Sequence, residues 1–400
     1  MHNNNSLYGK TICLIFEHQL SHYSRILDEI EILRNEGAKI ILLSSDKSNV
    51  EIEDIETHLA PLYPAKKSIV GQTTLEKSKL LASRLQMKFL RDIDEVQISQ
   101  ARIAALNNLA EQADAFWVID YHSLRSTLNV ASSKSLPVIY ETVDLVPEYP
   151  YNGKLHRIFS LKNEADAVRK IDGFITASES YADYYEKRYA PSKIPCRPTV
   201  RDNMPKTIVC APKATKPPLK FLFMGSLMFD RPIIELINSV TATTKNIEFT
   251  FIGRNLLGEL SKKEIEYQDT QGKIKILDPC PPSDIVNVAS NYDVGVVALR
   301  GNNENERWAS TQKLFTYMSA GLMILGSDLP GIARVVSEAK CGKLVKGISS
   351  ETWARSMDEI ADMKNSTIDK FRANSLKYAQ SKSIELQACS YIKVFQDALS

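Results

Sequence analysis

The chain has 400 residues, 44% of them hydrophobic and 24% charged, with a formal net charge of +2. That length predicts two or three domains with full cores, and so even a charge balance excludes a nucleic-acid partner unless a basic surface is local. Six cysteines (Cys13, Cys196, Cys210, Cys280, Cys341, Cys389) stand far apart, without CxxC pairs or zinc spacing, which predicts reduced thiols and no metal centre. The polar start MHNNNSLYGK lacks a signal-peptide pattern, and no apolar run reaches the roughly 18 residues of a membrane span. A cytoplasmic protein is expected, at most attached to the inner membrane surface.

In chain order, TICLIF (11–16) reads as a strand, SRILDEIEILRNEG (24–37) as an amphipathic helix ended by Gly37, and KIILLSS (39–45) as a strand. Together they make a βαβ unit. FEHQLSHYSR (16–25) spans the first strand's end and leaves His18, His22 and Arg25 unassigned. Arg25 reads as an acceptor contact or, slightly favoured, a plain helix-start arginine. The stretch 75–91 carries Lys77, Lys79, Arg84, Lys88 and Arg91 opposite Leu80, Leu81, Leu85 and Phe89. It reads as an ordinary surface helix or as a basic amphipathic helix lying on an anionic membrane.

DAFWVID (114–120), LPVIYET (136–142) and GFITAS (173–178) are the next strands. Asp120 and His122 end one of them and Asp144 follows another, so the three are candidates for catalysis on one wall. A cap for Asp120 and a plain loop position for His122 are the competing readings. Residues 190–218 hold seven prolines and little periodicity, the best linker in the chain.

A second α/β series follows, with strands at 220–226, 247–253, 273–277, 293–299 and 322–327 and helices at 232–242 and 384–399. FMGSLMFDR (223–231) puts Gly225 and Ser226 at a strand end with Arg231 beyond. TFIGRN (250–255) repeats the pattern with Gly253 and Arg254. In STQKLFTYMSAG (310–321), Ser310 and Thr311 precede a helix that begins with Gln312 and Lys313. A cation is unfavourable at a helix N-terminus unless an anion binds there too. Hydroxyls, free backbone N–H groups and Lys313 therefore form a candidate diphosphate cradle. Leu314, Tyr317, Met318 and Ala320 are expected in the core. No GxGxxG follows the first strand of either half, which argues against an oxidoreductase.

The order strand–Gly–x–Arg, then FIG, then KLFTYMSAGLMILGSDLPG (313–331), then VV and CGKLV, resembles retaining glycosyltransferases of the GT-B type. More closely, it resembles the family-4-like enzymes of bacterial surface polysaccharide synthesis. The resemblance implies an α/β protein of two Rossmann-like domains facing each other across a cleft. Residues 1–203, with a C-terminal helix 384–400 packing back, would take a glycan or lipid-linked acceptor. Residues 204–383 would bind a nucleotide diphosphate sugar, by default a UDP-sugar. Hinge closure would bring the two together without a cofactor or metal, the sugar nucleotide being a substrate. Arg231 and Lys313 would neutralise the diphosphate leaving group. Two positions depart from the family: Thr316 and Trp308 stand where glutamates usually contact ribose and donor sugar. Glu306 and Glu304 lie close by as substitutes. These departures keep two other readings open, a non-catalytic nucleotide-sugar-binding partner subunit and a GT-B nucleotide-sugar 2-epimerase.

Overall fold

The computed structural model describes residues 6–20, 23–48, 54–63, 98–149, 153–189, 197–258, 269 and 271–400. The 75–91 stretch and His22 lie outside them. The chain divides into two compact units, Met1–Arg201 with Ala388–Ser400, and Asp202–Gln387. The helix Ile384–Leu399 thus contributes its first turn to one unit and the rest to the other.

The first unit is built on a seven-stranded sheet. Its strands are β1 (Thr11–Ile15), β2 (Lys39–Ser44), β3 (Glu56–Leu59), β4 (Ala115–Ile119), β5 (Val138–Thr142), β6 (Gly173–Thr176) and β7 (Thr199–Val200), in the order β3-β2-β1-β4-β5-β6-β7. The second unit repeats the pattern with β8 (Leu219–Met224), β9 (Ile247–Ile252), β10 (Ile274–Leu277), β11 (Val294–Val297), β12 (Met323–Ser327) and β13 (Gly342–Val345), ordered β10-β9-β8-β11-β12-β13. All strand pairs are parallel. Runs such as TICLI, AFWVI and FLFM are buried on both faces because helices cover both sides of a parallel sheet. In each sheet the order reverses next to the first strand, at β1/β4 and β8/β11, where α/β folds open a binding crevice at the strands' C-terminal ends.

The predicted strands and helices lie within a few residues of the observed ones. β3, β7 and β13 are additions. All three are short: β3 and β7 edge their sheet, and β13 edges the other. Residues 197–218 are less of a free linker than their prolines suggest. Thr199–Val200 pairs with β6, and Met204, Ile208 and Val209 pack in the second unit, where Val209 N–H donates to Ser319 O at 3.0 Å.

The first unit buries an ion cluster at its centre. Glu141 on β5 is fully buried and accepts from Arg25 Nη2 at 2.5 Å, Arg25 Nε at 3.2 Å and Trp117 Nε1 at 3.0 Å. Arg25 also meets Glu29 at 3.0 Å and donates to the Arg201 carbonyl, while Arg201 lies 3.5 Å from Glu29. Tyr391 of the C-terminal helix completes the shell, its hydroxyl 3.4 Å from Glu141, and packs with Phe395 against Trp117. Arg25 is therefore not a solvent-facing helix-start residue but a member of this buried cluster. It begins its helix as expected, but only 7% of it is exposed and its charge is matched inside the protein.

Removing one member strands the others in the interior. Glu141→Ala should cost about 3–5 kcal/mol, read as a shift of the urea midpoint followed by circular dichroism. A change below about 0.5 kcal/mol, the range of ordinary surface substitutions, would remove the cluster from the fold's determinants.

Candidate functional site

The site in the second unit forms where β8 and β9 end. Gly225 and Gly253 terminate these strands with φ +132° and +158°. A Cβ on Gly253 would stand 2.1 Å from Gly225 O, so the two backbones approach as only glycine allows. Beyond them the loops stay zipped: Leu227 N–H donates to Arg254 O, and Leu256 N–H to Leu227 O, both at 2.9 Å.

Across this floor lies the helix Gln312–Ser319. Its inward residues Leu314, Phe315, Tyr317 and Met318 are fully buried, as the periodicity requires. Tyr317 passes over Gly295, whose Cβ would meet the ring at 2.4 Å, and its hydroxyl accepts from Met224 N–H at 2.6 Å. That bond fixes the helix N-terminus over the end of β8.

Lys313 is thereby carried inward. Its stem is partly exposed, but Nζ is enclosed and has no hydrogen-bond partner among the described residues. It stands 4.4 Å above the Phe223 ring and 3.4 Å from where a Gly225 side chain would begin. Burial, and secondarily the positive charge of Arg231, hold the Lys313 ammonium well below a lysine's usual range. Arg231 Nε, Thr311 Oγ1 and Thr316 Oγ1 are likewise buried without a described partner. Buried polar groups are nearly always satisfied. Lys313, Arg231 and Thr311, orphaned at one loop and one helix start and two of them cationic, make a candidate site for an anion with several oxygens; Thr316 lies deeper in the helix.

Other candidates occupy different positions. Thr311 is the helix N-cap residue, yet its hydroxyl makes no cap bond. Ser310 donates instead to Gly331 O at 3.0 Å, so its hydroxyl proton braces the chain. The Glu306 carboxylate accepts from the N–H groups of Gly301 and Asn302 at 2.8 and 3.2 Å, which makes it a loop cap. Glu304 is gripped by the Trp308 indole N–H at 2.8 Å. Ser226 is half-buried in the glycine turn, while Gln312 and Arg254 are exposed at the rim. Thr316 is 1% exposed and sits inside the helix's packed face, a deeper place than a ribose contact requires.

Sequence reasoning missed Arg300. Its Nη1 and Nη2 bond Glu235 at 2.7 and 3.1 Å, and its Nε and Nη2 reach the carbonyls of Asp230 and Arg231, both at 3.1 Å. A lone arginine after a strand carries no signal of partners about 65–70 residues away.

The first unit brings Asp120, His122 and Asp144 to the C-terminal ends of β4 and β5. Asp120 has φ +61° and ψ 172°, strained for a non-glycine residue, and is 9% exposed. Its Oδ1 accepts from Val143 N–H at 3.0 Å and Asp144 N–H at 3.4 Å. It is thus a cap for the neighbouring strand's loop and a buried acid at once. Burial first and the Asp144 charge second push its carboxyl up to about 7. Asp144 accepts from Tyr149 OH at 2.9 Å, and the charges of both aspartates reach Tyr23. Burial, then His18 and His156, lower His122 to about 4, so its imidazole is neutral at physiological pH. His18 stacks on Tyr23 with ring centroids 5.8 Å apart.

Residues 218–363 match the family model described as glycosyl transferases group 1. The D-inositol 3-phosphate glycosyltransferase of Corynebacterium glutamicum (strain R) is 24% identical over 148 residues, 37% of this chain and 34% of that protein. The match thus spans about a third of the relative's length. Among solved structures, a Rickettsia africae glycosyltransferase superposes with TM-score 0.67 at 13% identity, covering 98% of this chain and 100% of the other. Anabaena HepE in complex with UDP-glucose gives 0.66 at 12% identity, over 96% and 99%. The pneumococcal O-GlcNAc transferase GtfA in complex with UDP and GlcNAc gives 0.66 at 12%, over 98% and 99%. At these identities the likeness is one of fold: two Rossmann-like parallel-sheet units of the GT-B class.

Two results should follow. Lys313→Met fills the same space without a charge that lacks a partner, and should raise the stability of the ligand-free protein by about 0.5–2 kcal/mol in urea unfolding. A loss of stability would mean that Lys313 is already compensated. In carboxyl ¹³C NMR of aspartate-labelled protein, one midpoint should fall near 7, vanish in Asp120→Asn and move down in Asp144→Asn. Protons are then bound more tightly by the folded state, so Asp120's contribution to stability is lost as pH rises towards 7. A midpoint in the ordinary carboxylate range would contradict the placement of Asp120.

Proposed function

We propose that the chain is a glycosyltransferase that moves a sugar from a nucleotide diphosphate sugar, a UDP-sugar by preference, to a glycan or lipid-linked acceptor in surface polysaccharide synthesis. The observation that carries this reading is the pair Lys313 and Arg231, two neighbouring cations that no carboxylate among the described residues bonds. Cleavage of the glycosyl–phosphate bond leaves negative charge on the departing diphosphate. Cations fixed in advance in an enclosed place stabilise that charge without reorganising. Phosphate oxygens bonded to Lys313, Arg231 and the N–H groups that open the Gln312–Ser319 helix would satisfy the orphaned groups together.

Supplying the charge from side chains gives the site its electrophilic assistance without a bound metal ion. In the first unit, Asp120 and Asp144 would orient an acceptor hydroxyl, with neutral His122 as a hydrogen-bonding neighbour. Retention is the stereochemistry we favour. In it the departing phosphate oxygen takes the acceptor's proton, so no carboxylate needs to lie at nucleophilic distance. A cytoplasmic protein working against the inner membrane face fits a lipid-linked acceptor.

The test is calorimetric binding of UDP and GDP, with their sugars, to the full chain. UDP should bind, and Arg231→Ala and Lys313→Ala should each weaken it at least tenfold, the scale of one charge-assisted hydrogen bond. Release of UDP from UDP-sugars on adding a cell-envelope glycan fraction separates a transferase from a binding subunit, which would bind without turnover. Undiminished UDP affinity in both variants would remove the diphosphate reading.

A further inference from the structure

Two neighbouring cations repel, and in the absence of ligand nothing in that repulsion keeps Arg231 beside Lys313. Arg231 lies on a surface loop between β8 and the helix Ile233–Ala242, and its neighbours Phe229 and Asp230 are exposed. Left to itself, such a loop would turn the guanidinium out to water. Local backbone bonds, Arg231 N–H to Met228 O at 3.1 Å and Ile233 N–H to Arg231 O at 2.8 Å, set the turn and join it to the start of the Ile233–Ala242 helix, but neither bond reaches β11.

Arg300 supplies the missing tie. It follows β11, the strand beside β8 at the switch point of the sheet. Its Nε donates to Asp230 O and its Nη2 to Arg231 O, at 3.1 Å each. The rest of the fork closes on Glu235, in the first turn of the next helix, at 2.7 and 3.1 Å. Four of the five N–H donors that an arginine offers are used. The charge of Arg300 is matched by Glu235, so it adds little to the field at Lys313; Arg231 is the cation that acts there. Both residues are about one-fifth to one-quarter exposed, enough enclosure to fix a bidentate geometry.

We propose that Arg300, clamped by Glu235, is a positioning residue that holds the 230–231 backbone and keeps the Arg231 guanidinium beside Lys313 before the diphosphate arrives. This deepens the function proposed above and rests on it. Its contribution to affinity is preorganisation: the loop is ordered in advance, so binding does not have to order it. A lysine in its place would keep the charge but lack the planar fork that reaches two carbonyls and a carboxylate together.

A double-mutant cycle on UDP binding to the full chain separates positioning from general support. Arg300→Ala should weaken UDP about tenfold, the scale seen when the support of a ligand-binding group is removed. In the Arg231→Ala background the same change should matter less than about twofold, because the residue through which it acts is gone. Arg300→Lys should fail to rescue, and serves as the second variant if Arg300→Ala does not fold. Equal losses in both backgrounds, or full rescue by lysine, would overturn the positioning role. If Arg231→Ala and Lys313→Ala both left UDP affinity unchanged, the diphosphate reading itself would fall; if Arg231→Ala alone did, the role of Arg231, and the brace that acts through it, would fall. If Arg231→Ala weakened UDP while the Arg300 variants bound normally, only the brace would fall.

Discussion

A lysine Nζ enclosed without a hydrogen-bond partner among the described residues, held only over the Phe223 ring, is the constraint on which the candidate site of the second unit depends. Lys313 is drawn inward because Tyr317, one turn along the same helix, is anchored to the end of β8, and because Gly225 leaves room above the Phe223 ring. Desolvating a cation is unfavourable, and placing Arg231 beside it adds repulsion. A sequence selected for stability alone would put methionine or a carboxylate there. Such local violations of the rules of folding concentrate where proteins bind or react.

The two units treat buried charge in opposite ways, and the contrast separates architecture from site. In the first, Arg25, Glu29, Glu141 and Arg201 close a balanced cluster that ties a helix, a central strand, the last strand and the C-terminal helix into one body. It needs no ligand. In the second, Arg300 is balanced by Glu235, whereas Lys313 and Arg231 are not. The positive charge left over lies where the strand order reverses, the place at which this kind of sheet takes ligands. Asp120 is a milder form of the same pattern: a strained, buried acid with a second carboxyl nearby.

Much of this frame was legible in the residues, because β-branched and aromatic runs such as KIILLSS and IEFTFIG can only be buried strands between helices. The Gln312–Ser319 helix was legible from its stripe of Leu314, Tyr317 and Met318, and the oddity of Lys313 from its place at a helix start. ETHL and GKLV hid as strands because short edges carry polar residues and no run. Arg25 was misread because its partner Glu141 is 116 positions away, a distance no local pattern spans. Arg300 escaped for the same reason. Ser310 and Glu306 read as ligand contacts because their chemistry suits one; only coordinates reveal the carbonyl that Ser310 also bonds and the two backbone N–H groups that bond one Glu306 oxygen.

The most direct test of the unpartnered cation pair is a crystal structure of the chain with UDP bound. The account predicts diphosphate oxygens about 2.7–2.9 Å from Lys313 Nζ and from the Arg231 guanidinium, the spacing of charge-assisted hydrogen bonds. Phosphates bound elsewhere, with Lys313 still enclosed and without a partner, would contradict it.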